Sequence, residues 1–175
     1  MDDVHSARLL VGSGAGVNVR EQLGELFELV GGQAHNRAMT VRLNPYISFA
    51  DNAREALEFY REVLGGELEI STFEGMPPEM IDPSETGKVM HGQLTTPDGL
   101  TLMAADTPAG MPRTVGDDIS VSLSGDDLAK LTGWWEKLSG SGQVTVPFVQ
   151  APWGDTFGMC VDRFGVKWLV NASAS

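Results

Sequence analysis

Two stretches decide the fold: Ile47-Ser-Phe-Ala-Asp-Asn-Ala-Arg-Glu-Ala-Leu-Glu-Phe-Tyr-Arg-Glu-Val-Leu64 and Val121-Ser-Leu-Ser-Gly-Asp-Asp-Leu-Ala-Lys-Leu-Thr-Gly-Trp-Trp-Glu-Lys-Leu138. Each opens on residues that alternate in polarity, as a half-buried strand does, and passes into a segment with helical apolar spacing. Leu57, Tyr60 and Leu64 share one face of the first helix, and Leu131, Trp134 and Leu138 share one face of the second. Ile47 and Val121 stand 74 residues apart, as do Leu64 and Leu138, so strand and helix recur as one unit.

Outward from these stretches the recurrence continues. Glycine turns at Gly65-Gly66 and at Gly140 to Gly142 end the helices, and strands follow at Leu68 to Ile70 and Val144 to Val146. A hairpin then closes each copy, Gly92 to Ala104 and Gly158 to Val170, with the turns Asp98-Gly99 and Phe164-Gly165 aligned without a gap. The first copy carries an extra loop, Glu74 to Lys88. This order predicts an α+β fold of two βαβββ modules, residues 41–106 and 117–171, within a domain spanning 41–175. The strands form a curled mixed sheet with the helices outside.

Residues 1–40 read as an appendage. Leu23, Leu26, Phe27 and Val30 lie at helical spacing within Arg20 to Val30, and Gly31-Gly32 ends that helix. The glycine-rich run from Leu9 to Val17 fails as a dinucleotide loop, because the third glycine of that pattern would fall at Val17 and no βαβ unit follows. A docking helix, a swapped arm and plain upstream sequence all remain open for this segment.

Composition narrows the function classes. The 175 residues are 42% hydrophobic and 21% charged, an ordinary globular balance. A formal charge of -12 disfavours nucleic acid and anionic membranes, since no basic patch relieves it. The single cysteine, Cys160, excludes an intrachain disulfide and a CxxC pair and points to the cytoplasm. No apolar run is long enough to span a membrane.

The segment Pro45 to Tyr60, His91, Trp153-Gly-Asp-Thr-Phe-Gly and Asp162-Arg-Phe-Gly-Val-Lys-Trp together resemble the vicinal oxygen chelate superfamily of glyoxalases, bleomycin-resistance proteins and dioxygenases, in its PhnB-like branch. The likeness runs from about Leu43 to Asn171. It implies a homodimer that binds a small molecule in a cleft. No methyl-donor motif accompanies it.

Strand parity sorts the lining of that cleft. Ile47, Phe49, Leu102, Ala104, Ile119, Val121, Leu123, Trp168 and Val170 are assigned to packing beneath the helices. The opposite face carries Tyr46, Ser48, Thr101, Met103, Ser120, Ser122, Lys167 and Leu169, a mixture of apolar walls and placed polar groups suited to a ligand. From these, Tyr46, Ser48, Met103, Ser122, Lys167 and Leu169 are expected to bind ligand, together with Gln93 from the third strand and Trp153 and Phe157 at the rim.

The resemblance implies four metal positions, which read here Asn44, Met103, Asp118 and Leu169. A thioether and an aliphatic chain cannot replace carboxylates around a hard divalent ion, so neither a complete metal site nor any other cofactor is expected. His91 is the one histidine inside the repeats and the candidate general acid or base. Ser48 and Ser122 match between the copies, which signals repeat symmetry rather than a nucleophile, and Cys160 has core parity. The leading expectation is a binder of a small, partly apolar or cationic molecule. An enzyme of the same superfamily, of lyase, isomerase or dioxygenase type, using His91 or a non-standard metal site, is the alternative. A scaffold or subunit whose cleft is filled by a partner or by the N-terminal helix is the third.

Overall fold

The computed structural model describes residues 41–174. From Leu43 onward they fall in one compact unit, and the expected helix at Arg20 to Val30 lies outside the described residues. The order is β1 (Tyr46–Phe49), α1 (Ala53–Leu64), β2 (Glu67–Thr72), β3 (Val89–Thr95), β4 (Thr101–Asp106), β5 (Val121–Gly125), α2 (Leu128–Gly140), β6 (Gln143–Gln150), β7 (Thr156–Val161) and β8 (Lys167–Ala172). Each βαβββ module makes its own four-stranded mixed sheet, in the orders β1-β4-β3-β2 and β5-β8-β7-β6. The first strand of each module runs parallel to the last, and the other pairings are antiparallel.

One face of each sheet is covered by its helix. Phe49, Leu102 and Ala104 are buried with Ala53, Leu57, Tyr60 and Leu64 of α1, and Leu123, Trp168 and Val170 with Leu131 and Leu138 of α2. Ile47 and Val121 pack against this shared core. Ile119 does not belong with them: it precedes β5 and is 78% exposed, because the connection between modules, not the strand, holds it. Trp134 is likewise only partly buried, and Trp135 takes the core position, stacked on Phe148 with ring centroids 5.3 Å apart. Leu131, Trp135 and Leu138 follow the i, i+4, i+7 stripe, so the helix phase selects the second tryptophan.

The 74-residue match also needs correcting at the strands. Tyr46 pairs with Met103 and Ser122 pairs with Leu169, so the sheet counterpart of Tyr46 is Ser122, and that of Ser48 is Ser124. Ile47 and Leu57 are ten residues apart, whereas their counterparts Leu123 and Leu131 are eight apart, so the shorter strand-to-helix path absorbs the difference. Ser48 and Ser122 are therefore not equivalent.

A buried carboxylate locks each module. Asp106, 6% exposed, accepts from Ala53 N at the start of α1 and from Val89 N at the start of β3, both at 2.8 Å. It supplies the cap that Asn52 does not, whereas α2 is capped locally by Asp127, which accepts from Lys130 N at 2.9 Å. Asp162, 4% exposed, accepts from Tyr60 Oη (2.7 Å), Trp168 Nε1 (2.8 Å), Phe164 N (2.8 Å) and Val166 N (3.0 Å). Tyr60 comes from the first module, so this carboxylate ties the two together.

Candidate functional site

The helix-free face of the first sheet is built by parity. Along β4 the residues Leu102, Ala104 and Asp106 point to the core, which sends Thr101, Met103 and Ala105 the other way, half-buried. Register then sets Tyr46, Met103, Gln93 and Glu69 in one row across four strands. His91 lies one step along β3, opposite Ser71. A bulge at Met90 shifts the register between Ser71 and Thr72, so Val89 rather than Met90 turns into the core. Tyr46 Oη and His91 Nδ1 are 3.3 Å apart, with ring centroids at 5.7 Å. The two rings are tilted by 31° and form an aromatic shelf in the strand row next to Met103.

The second sheet repeats the plan with a greasier lining. Ser122, Leu169, Met159 and Val146 form the corresponding row, and Phe157 lies in the next one, paired with Asn171. Trp153, from the turn before β7, meets Phe157 edge-on at 5.8 Å. Asp155 holds that turn by accepting from Asn171 Nδ2 (2.9 Å) and Ala174 N (3.1 Å), contacts that lower its pKa.

The expected site residues thus fall into two sets, one on each sheet. Tyr46, Ser48, His91, Gln93 and Met103 share the first sheet; Ser122, Phe157, Lys167 and Leu169 share the second, with Trp153 at its rim. Lys167 is already engaged, forming an ion pair with Asp117 and donating to its carbonyl at 3.1 Å. Tyr46 and Trp153 are 51% and 65% exposed, more than the expected enclosure allows, because nothing among the described residues stands over them.

A cleft of about 590 Å³ opens at the end of the first sheet, where Ser48 and Asp106 meet Thr107, Met111, Arg113 and Thr114. All but Ser48 among these were missed by strand parity. Apart from Asp106, the last residue of β4, they belong to the inter-module connection, whose path no periodicity reveals. Arg113 Nε donates to Ser48 O at 2.8 Å, and Ala109 N donates to Glu85 Oε2 at 2.8 Å, so the extra loop of the first copy steadies the connection.

The metal positions fit no better in three dimensions. Asn44 and Asp118 precede the strands, and the sheet neighbours of Met103 and Leu169 are instead Tyr46 and Ser122. A phenol, a thioether, a serine hydroxyl and an aliphatic chain do not make a cage for a hard divalent ion. Among the described residues, no three His, Cys, Asp or Glu side chains converge as ligands.

This architecture has relatives. The profile of the Glyoxalase/Bleomycin resistance protein/Dioxygenase superfamily matches residues 42–170, and the chain belongs to that superfamily. Within it the chain is similar to protein PA1353 from Pseudomonas aeruginosa, at 35% identity and a TM-score of 0.68, covering 78% of this chain and 100% of that one. The PhnB protein from Bacillus cereus shares the fold at 21% identity and a TM-score of 0.61, over 76% of this chain and 100% of that one. Protein YjdN of Escherichia coli is 26% identical over 74% of this chain and 93% of its own length.

Proposed function

We infer that the protein binds a small, partly apolar molecule on the helix-free face of the first sheet, without a complete metal site. The observation that carries this reading is the placement of Met103: half-buried, away from the helix, and flanked in register by Tyr46 and Gln93. Apolar walls with a few fixed polar groups suit a small organic ligand better than an ion. The Tyr46–His91 pair offers a face on which a planar group can stack.

A homodimer completes the site. Val144, Val146 and Val149 on β6 and Trp153 beside it are between 37% and 65% exposed, an apolar margin that a second copy would cover while roofing the open sheets. The cytoplasm suits a chain whose one thiol is buried and free. Proton transfer by His91 is the second reading, favoured by the Tyr46 hydroxyl 3.3 Å from its Nδ1.

Thermal-shift titration with a panel of neutral and charged aromatic compounds tests the binder, comparing the native protein with Met103→Glu. Compounds that raise the melting temperature of the native protein should lose that effect in the variant, which buries a charge beside the shelf. Stabilisation that survives Met103→Glu unchanged puts the ligand elsewhere.

A further inference from the structure

The geometry points to a ligand that carries a carboxylate, anchored by Arg113 at the end of the first sheet; this rests on the reading that the helix-free face is the ligand site. The connection after β4 folds back over the strand ends because three contacts hold it. Thr107 N donates to Phe49 O, Ala109 N to Glu85 Oε2 and Arg113 Nε to Ser48 O, each at 2.8 Å. The last fixes the guanidinium by its Nε edge. Its terminal nitrogens make no hydrogen bond or ion pair among the described residues, which leaves their N–H donors to a guest in the cleft.

The other charge in this wall is already committed. Asp106 has one oxygen on Ala53 N and the other on Val89 N, and it is 6% exposed. Arg113 is therefore the charge that a guest meets, a cation in a chain whose formal charge is -12. The hydroxyls of Ser48, Thr107 and Thr114 flank it as further donors, and Met111, Pro108 and Pro112 give apolar wall. A guanidinium pairs with a two-oxygen anion through parallel N–H donors, and a single carboxylate suits it without bringing a second negative charge into an acidic protein. The apolar body of such a guest runs from Arg113 past Ser48, whose Cα partner Ala105 lies two residues from Met103 on the same face. An ammonium-bearing guest would meet the guanidinium head-on, so the cationic ligands that the sequence allowed are disfavoured here.

Calorimetric titration with three probes of one shape tests this: 4-phenylbutyrate, 4-phenylbutyramide and 4-phenylbutylamine. A hydrogen-bonded charge pair in a partly open cleft predicts that the acid binds about ten-fold tighter than the amide and that Arg113→Gln narrows this to about two-fold. Arg113→Lys, which keeps the charge but loses the fork, should retain part of the preference. Equal binding of acid and amide by the native protein, or a preference that persists in Arg113→Gln, overturns the assignment. If acid and amide bind equally and Met103→Glu abolishes both, the anchor fails while the open-face site stands; if Met103→Glu leaves both unchanged, the two fail together. Failure of all three probes to bind counts against the carboxylate anchor.

Discussion

Single residues carry much of the stability that keeps the site in shape. Asp162 satisfies two buried side-chain donors and two backbone donors, and its carboxylate joins Tyr60 of the first module to Trp168 in the second module's hairpin. Burial, reinforced by the adjacent Asp162 carboxylate and the hydrogen bond to it, pushes the Tyr60 phenol far above its ordinary pKa, so it stays a donor at every working pH. Asp162→Asn turns acceptor capacity into a misplaced donor, and a loss of roughly 3 kcal/mol in chemical denaturation is expected, with unchanged stability contradicting the assigned role. Cys160 is 1% exposed, and burial, with Asp162 nearby, pushes its thiol up to about 11. A raised thiol pKa favours the folded chain below the ordinary thiol value, and that advantage disappears as pH climbs toward 11. Native protein at pH 8 should resist iodoacetamide while urea-unfolded protein reacts fully; rapid labelling of the folded chain would show an open core. The core parity of Cys160 was legible from its strand. The roles of Asp106 and Asp162 were not, because a carboxylate that caps distant backbone looks in sequence like any surface acid.

At the scale of elements, two glycines of matching place close the helix-to-strand turns against the hairpins. A Cβ on Gly66 would stand 2.2 Å from Thr95 O, and one on Gly142 would stand 2.1 Å from Val161 O. Both are backbone atoms that cannot swing aside, and Gly66 adds a φ of +103° that side chains rarely adopt. Gly133, inside α2, meets nothing within 4 Å. Alanine at Gly142 is therefore expected to cost about 2 kcal/mol or more, whereas alanine at Gly133 should gain about 0.5–1 kcal/mol from helix propensity, both readable as shifts in the urea midpoint. The reverse order would mean that the turn, not the helix, has room. These turns were visible as glycine pairs, and so were the helices and hairpins. Two features escaped. The true offset between the copies is fixed by hydrogen-bond register, which sequence spacing approximates only to within a strand residue pair, and Trp134 and Trp135 differ by one step of helix phase that two adjacent tryptophans leave open.

For the whole molecule, each sheet has one face closed by a helix and one face left to be covered. The order of elements predicted the covered face, since one helix per module packs on one side of its strands, but not the openness of the other, where an enclosed cleft was expected. What sequence could not supply is the path of the connection between modules, where Arg113 and Met111 reach the cleft, because proline-rich and glycine-containing segments carry no periodicity. A dimer covering the β6 margin predicts that sedimentation velocity finds twice the chain mass and that Val146→Lys with Val149→Lys shifts the protein toward monomer. A monomeric native protein would leave the apolar margin without its expected cover. The central claim, a ligand lying on the helix-free face of the first sheet, is tested most directly by methyl NMR of the protein labelled at its eight methionines, with Met103→Leu and Met111→Leu giving the assignments. Titration with a stabilising aromatic probe should move the Met103 and Met111 methyl signals first and most; displacements confined to the exposed Met80 and Met90, with Met103 unmoved at saturation, would contradict it.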